Sequence, residues 1–386
     1  MKPFTLIVVC IGLVLGACAL SVPPSAPTPT PLPEPTPTAW PRVRLNSPEY
    51  GVQAFLWWKP EITRRDLTLI QEMGFTWVKQ QFAWRDIEGV AKGQFDWYRA
   101  DDVVRRANNR KLKLIARLDR QPFWSQPPDA EPLVNAPPAH LQDFADFCFA
   151  IADRYRGKIA AYQVWNEPNL AREWGNQKPD PKAYVELLKA CYTAIKRADP
   201  SALVISAAPA PTGTWTDAVM PDDMFIEQMY QAGAAPYFDL LGVHAPGFKA
   251  PPEAAPDEVA ASPDLGGQRF FCFRRVEDLR AIMVKYGDAD KQVAVLEMGW
   301  TTDLLHPEYA WHAVDEQTQA DYLVRAFQFA KRNWSPWISI MTVIAFADPF
   351  WTQDDEQYWW TVVYPDWPEI RVRPGYEALK AMPKDE

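Results

Sequence analysis

The chain has 386 residues, of which 48% are hydrophobic and 23% are charged, enough to bury one barrel-sized domain or two ordinary ones. A formal net charge of −9, a pI near 5.2 and the absence of a basic stripe argue against nucleic acid as a partner. The 18 Trp and 14 Tyr residues suit a surface that binds the apolar faces of sugar rings, although a protein-binding surface would also use them.

The N-terminal residues predict an exported lipoprotein. Lys2 supplies a positive charge, residues 4–15 form an apolar run too short to span a bilayer, and small residues stand directly before Cys18. This pattern resembles a bacterial lipobox, which implies a signal peptide over residues 1–17 and acylation of Cys18; the alternative is an ordinary signal peptide with a chance cysteine. Residues 18–42 are rich in Pro and Thr, a composition that predicts an extended stalk. We therefore expect a domain over residues 43–386, held at the cell surface and touching the membrane only through the lipid.

After the stalk, apolar β-leaning runs alternate with segments of helical periodicity. Strands are predicted over residues 50–57, 77–84, 112–118, 161–167, 203–207, 238–244, 292–300 and 338–346. Eight strands in strict alternation with eight helices favour an α/β fold closed into a (β/α)8 TIM barrel, because closure removes both sheet edges. An open sheet is the alternative. The sequence has no Gly-x-Gly-x-x-Gly after the first strand and no phosphate-binding loop, which weakens a dinucleotide-binding interpretation.

Three cysteines remain beyond the leader, and their spacing does not match that of metal ligands. Cys148 and Cys191 fall on apolar helix faces, and Cys272 lies further along the chain. The sequence leaves open whether Cys148 and Cys191 are buried thiols or form a bridge between two helices.

Two glutamates stand at the ends of predicted strands. Glu167 follows the fourth strand within Asn166-Glu167-Pro168, where proline ends the strand, and Glu297 closes the apolar run of the seventh. A carboxylate in such a setting is costly to ionise unless something uses it. The alternatives are a helix-capping turn for Glu167 and a structural salt bridge for Glu297. In a barrel, both would lie at the C-terminal ends of the strands, where active sites form.

These residues resemble the retaining glycoside hydrolases of clan A, and the barrel pattern extends over nearly everything from Tyr50 to Met382. Residues 84–88 and 95–97, Trp-Arg-Asp-Ile-Glu and Phe-Asp-Trp, resemble families 39 and 5. The resemblance implies double displacement on β-linked oligo- or polysaccharides, with Glu167 as general acid/base and Glu297 as nucleophile. It also implies that Asn166 bonds the sugar 2-hydroxyl. No cofactor is expected, and four histidines without paired ligand spacing offer little to a metal.

Further candidates are less sharply defined. His244 ends the sixth strand, either on the catalytic rim or as a core histidine satisfied by backbone. Lys79 lies in the second strand, where clan members often carry Arg; lysine keeps the charge but loses the bidentate fork. Candidate sugar platforms, each alternatively a packing residue, are Trp124, Trp300, Trp351, Trp359 and Trp360.

Two departures from the clan pattern keep a second function open. The Tyr often found after the sixth strand and the Trp at the end of the eighth are missing or displaced here. The alternative function is therefore a non-catalytic carbohydrate-binding lipoprotein on the same barrel. The sugar, the linkage, endo or exo action, the oligomeric state and the exact family do not follow from the sequence.

Overall fold

The computed structural model describes residues 43–126 and 135–384, so the predicted signal peptide, Cys18 and the stalk lie outside the described residues. Within them, eight parallel strands pair in sequence order, and β8 pairs with β1. This closed barrel confirms the (β/α)8 fold. The strands are β1 Glu49–Gln53, β2 Trp77–Gln81, β3 Lys113–Leu118, β4 Ala161–Val164, β5 Leu203–Ile205, β6 Leu240–His244, β7 Gln292–Met298 and β8 Ile338–Val343.

A long helix follows each strand, and local sequence sets several of the helix ends. Proline occupies the first turn of α1, α4 and α8, where its missing N–H costs nothing. Asp180 caps α4 by accepting hydrogen bonds from the N–H groups of Lys182 and Ala183. The helices are α1 Pro60–Glu72, α2 Tyr98–Asn109, α3 Leu141–Arg154, α4 Pro181–Ala198, α5 Asp222–Gln231, α6 Arg275–Lys285, α7 Glu316–Asn333 and α8 Pro374–Ala381.

The loops at the C-terminal ends of the strands carry short helical segments of their own. They include short α-helices at Trp84–Ile87, Pro256–Ala260 and Pro307–Ala310, and 3-10 turns at Phe123–Ser125, Ala171–Glu173, Pro263–Leu265 and Glu356–Trp360. A further 3-10 turn, Ala235–Tyr237, lies on the opposite side, before β6. None of the described helices combines the length and apolar composition needed to cross a bilayer.

Several strands end earlier than the sequence predicts, and β4 shows why this matters. The prediction extended it to about residue 167, but it ends at Val164, because Trp165 and Glu167 adopt left-handed backbone conformations with φ of 73° and 44°. Such angles break a strand. Glu167 therefore lies in a turn beyond the end of β4, at the C-terminal end of the barrel.

The barrel interior changes character along its axis. Apolar side chains, among them Trp77, Ile115 and Ala161, form an inner cluster. Two residues further along their strands, on the same inward face, stand Lys79, Arg117 and Gln163, in that order. The C-terminal half of the barrel interior is therefore lined by polar side chains, which lie beneath the loops.

A disulfide joins Cys148 of α3 to Cys191 of α4, with Cα atoms 5.5 Å apart, while Cys272 is free and buried. The structure thus decides the alternative that the sequence left open in favour of the bridge.

Candidate active site

A cavity of about 740 Å³ lies at the C-terminal ends of the strands. Of the predicted site residues, Glu167, Glu297, Asn166, His244 and Trp351 all line it. The barrel thereby brings together residues that are distant in sequence, at the end of the fold where active sites form.

The two glutamates face each other across this cavity. A carboxylate oxygen of Glu167 and one of Glu297 lie within 4.8 Å of each other, and both approach the imidazole of His244. Each glutamate side chain keeps 17% of its surface exposed, so both reach the solvent of the cavity.

The turn after β4 holds Glu167 in place. Its backbone N–H donates to the carbonyl of Ala208, and its carbonyl accepts from the N–H of Leu170. On the side chain, Oε1 lies 3.0 Å from Nδ1 of His244, and Oε2 lies 3.8 Å from a guanidinium nitrogen of Arg172. The carboxylate is therefore oriented on one side and approached by a cation on the other.

Glu297 is paired with a buried lysine. Lys79, which is 1% exposed, donates to Oε1 at 2.8 Å and to the carbonyl of Leu296 at 3.2 Å. Burial opposes ionisation of Glu297, but the charges of His244 and Lys79, the Lys79 hydrogen bond and Arg117 outweigh it and lower the pKa of Glu297 to about 2. Burial lowers the pKa of Lys79, and its attraction to Glu297 works against that shift. Glu297 is thus a carboxylate throughout the neutral range.

His244 and Asn166 complete the inner surface of the cavity. His244 is almost fully buried and lies between the glutamates, with Nε2 3.7 Å from Oε1 of Glu297 and no hydrogen-bond partner for Nε2 among the described residues. Its partners are acidic side chains rather than backbone, which places it on the catalytic rim. Asn166 accepts a hydrogen bond from Nε2 of Gln163 at 3.2 Å.

The family model for cellulase (glycosyl hydrolase family 5) matches residues 36–231, just over half of the chain. The chain belongs to glycosyl hydrolase family 5. A search of curated proteins finds no significant match.

Several solved glycoside hydrolases share the fold at low sequence identity. A family 39 enzyme from the gut symbiont Bacteroides cellulosilyticus WH2 aligns with a TM-score of 0.63 and 19% identity, over 87% of this chain and 63% of that one. A GH39 β-xylosidase from Caulobacter crescentus aligns at 0.60 and 19%, over 88% and 72%. GH5_18 from Streptomyces cattleya, solved with GlcNAc, aligns at 0.61 and 14%, over 87% and 79%. The chain therefore spans less than two thirds of the first of these proteins.

Of the five predicted sugar platforms in this family 5 chain, Trp351 and Trp360 line the cavity, whereas Trp124, Trp300 and Trp359 do not. Trp300 is fully buried beneath Gly247 and donates its indole N–H to the carbonyl of Ala250. Trp124 donates to the carbonyl of Glu88 and does not line the cavity. Both rings hold loops in place.

Other lining residues have no counterpart among the predicted site residues. Arg117 follows Ile115 on the inward face of β3, so strand alternation alone was a usable signal. Loop residues such as Arg120, Arg172, Tyr309 and Glu356 also line the cavity, and no periodicity marks them.

One group of described residues has the donor set for a metal ion, namely Glu167, His244 and Glu297. Lys79 already donates to Oε1 of Glu297 at 2.8 Å, so a cation there would have to compete with its ammonium group. The arrangement is better explained as two carboxylates that are paired with cationic side chains, Glu297 with Lys79 and Glu167 with Arg172.

Proposed function

We propose that this protein is a retaining glycoside hydrolase that cleaves O-glycosidic bonds of β-linked glycans. The observation that carries the proposal is the approach of the Glu167 and Glu297 carboxylates to within 4.8 Å. Retaining enzymes hold their two carboxyl groups ~5–5.5 Å apart, whereas inverting enzymes need ~6.5–9.5 Å to admit a water molecule between them.

The roles follow from the environments of the two side chains. Glu297, ionised and oriented by Lys79, attacks the anomeric carbon while Glu167 donates a proton to the departing glycosidic oxygen, and a glycosyl ester forms on Glu297. Glu167 then accepts a proton from water, whose oxygen attacks the anomeric carbon and releases the carboxylate of Glu297. Asn166, beside Glu167 in the cavity, bonds the sugar 2-hydroxyl.

Substitution of each glutamate tests this assignment. Glu297→Gln should abolish turnover while leaving the folded state intact, and a 2-fluoroglycoside should label the wild-type protein at Glu297. Glu167→Ala should slow substrates with poor leaving groups most, and added azide should restore turnover by replacing the lost base. Carbohydrate binding without label or turnover would favour the non-catalytic binding protein instead.

We also propose that the protein is exported and anchored at the cell surface through acylated Cys18. This proposal is supported by the leader and stalk composition alone. Metabolic labelling with palmitate should mark the protein, and a Cys18→Ser variant that still takes up label would contradict it.

A further inference from the structure

Three arginines line the cavity, and none of them donates a side-chain hydrogen bond to a described residue. Arg117 is ion-paired with Asp119, its Nε lying 3.0 Å from Oδ2. Arg120, which is half-buried, has no side-chain hydrogen bond or ion pair with any described residue. Arg172 is 73% exposed, and its nearest carboxylate oxygen, on Glu167, is 3.8 Å away, beyond hydrogen-bond distance.

Among the described residues, a half-buried guanidinium without an acceptor contrasts with the more deeply buried arginines. The buried arginines outside the cavity, such as Arg65, Arg275 and Arg373, are tied to Asp66, Asp222 and Glu316. A guanidinium carries five N–H donors in a planar fork that matches a carboxylate. Arg120 therefore has no acceptor among the described residues and can donate to a ligand in the cavity.

The backbone holds Arg120 in a fixed position. Its φ is 59°, a left-handed conformation that costs a non-glycine residue free energy and that occurs at ligand clamps. Its N–H donates to Oδ1 of Asn135, and its carbonyl accepts from the N–H of Arg85. Asn135 also donates to Glu173, the neighbour of Arg172, at 2.9 Å. One asparagine thus joins the loops that carry Arg120 and Arg172.

Acidic side chains line the same cavity, but the protein itself occupies several of them. Glu173 accepts from Asn135, and Glu356 accepts from the indole N–H of Trp360 at 2.9 Å. Burial raises the pKa of Asp86, Glu173 and Glu356. An anion is therefore opposed less than a count of the acidic groups suggests.

We propose that the cavity selects glycans that carry a carboxylate, as in a uronic acid, with Arg120 and Arg172 binding it. This inference rests on the proposed glycosidase function and deepens it by naming the substrate class. Since Arg172 approaches Glu167, the residue that protonates the leaving group, the carboxylate is recognised close to the bond that breaks. The bidentate fork matches a carboxylate and also matches tetrahedral oxyanions such as phosphate, so a sulfate ester is the competing ligand that the experiment includes.

The experiment compares matched pairs of anionic and neutral substrates. One pair is 4-nitrophenyl β-glucuronide and β-glucoside, and the other is xylo-oligosaccharides with and without a glucuronic acid branch; a 6-sulfated glucoside separates carboxylate recognition from general anion binding. We expect kcat/KM to favour the carboxylated member of at least one pair. Charge-assisted hydrogen bonds predict that Arg120→Met lowers this preference roughly 10- to 100-fold. Arg120→Lys should restore only part of it, because the charge returns without the fork.

The control is Arg156→Met, which removes one exposed arginine at the end of α3 and should leave the preference unchanged. Neutral glycosides hydrolysed with no preference for carboxylated ones, or a preference that survives Arg120→Met, would overturn this inference and leave the proposed function standing. An equal preference for the sulfated glucoside would also overturn it, in favour of general anion binding. Turnover of neither member of either pair would overturn this inference, and the 2-fluoroglycoside label at Glu297 would then decide whether the proposed function stands.

Discussion

Replacing Lys79 by methionine gives the sharpest test of how the site ionises its nucleophile. The ammonium of Lys79 is buried and lies 2.8 Å from Oε1 of Glu297. Methionine nearly conserves the volume of the side chain while removing both its charge and its hydrogen bond. The carboxylate of Glu297 would then remain buried, which disfavours its charged form, without the ammonium group that now stabilises that form.

The structure gives the size of the expected effect. Two unit charges at this separation attract by roughly 6 kcal/mol at an effective dielectric constant of about 20. Removal of one partner of a buried pair costs ~3–5 kcal/mol. At ~1.36 kcal/mol per pH unit, this free energy raises the pKa of Glu297 by roughly two to four units from its present value of about 2. The fall in activity on the acid side should move by the same amount.

The assay is the pH dependence of kcat/KM on an aryl glycoside, which reports ionisations of the free enzyme. We expect the acid limb of Lys79→Met to move into the mildly acidic range, and Lys79→Arg to return it towards the wild-type position. Lys113→Met is the matched control, because Lys113 also donates to a glutamate, Glu49, at 2.8 Å, but at the N-terminal end of the barrel. An acid limb that stays in place in Lys79→Met would refute the pairing argument.

The stability of the fold should also depend on pH through the ionisation of Glu297. The pKa of Glu297 in the folded protein, about 2, lies below its ordinary value of 4.5, so its ionisation stabilises the fold above pH 4.5. This stabilisation is lost as the pH falls towards 2. Lys79→Met should therefore be less stable than wild type at neutral pH and lose less stability on acidification, as measured by urea unfolding at several pH values.

Three further predictions follow from contacts at and around the site. His244→Ala should lower kcat/KM on aryl glycosides roughly 100-fold, because Glu167 loses the 3.0 Å contact that orients it, while the unfolding midpoint should change little. Trp300→Ala should cost ~3–5 kcal/mol in the free energy of unfolding, whereas Trp351→Ala should mainly raise KM; the reverse pattern would contradict our placement of the two rings. Cys148→Ala removes a disulfide between cysteines that are 43 residues apart and should lower the free energy of unfolding by ~4 kcal/mol. Its urea midpoint should lie below that of the oxidised wild type and should not change when reductant is added.

The candidate site was predictable only in part. Asn166, Glu167 and Glu297 stand where strand-like runs stop, and strand ends are where a barrel places its chemistry. Trp300 stands in the same kind of position and was misassigned, because a strand end does not reveal whether a ring turns into the cavity or beneath a loop. Arg120 was missed for the complementary reason, since its exposure depends on loop contacts such as the one with Asn135.

The sequence by itself determined the alternation of strands and helices and the position of two acidic side chains at strand ends. Both properties are written in neighbouring residues, as periodicity and as the point where an apolar run breaks. Tertiary structure alone decided that Lys79 pairs with Glu297, that His244 lies between the glutamates, and that Cys148 and Cys191 are joined. These are distances between strands and helices far apart in the chain, and only closure of the barrel and the packing of its helices set them.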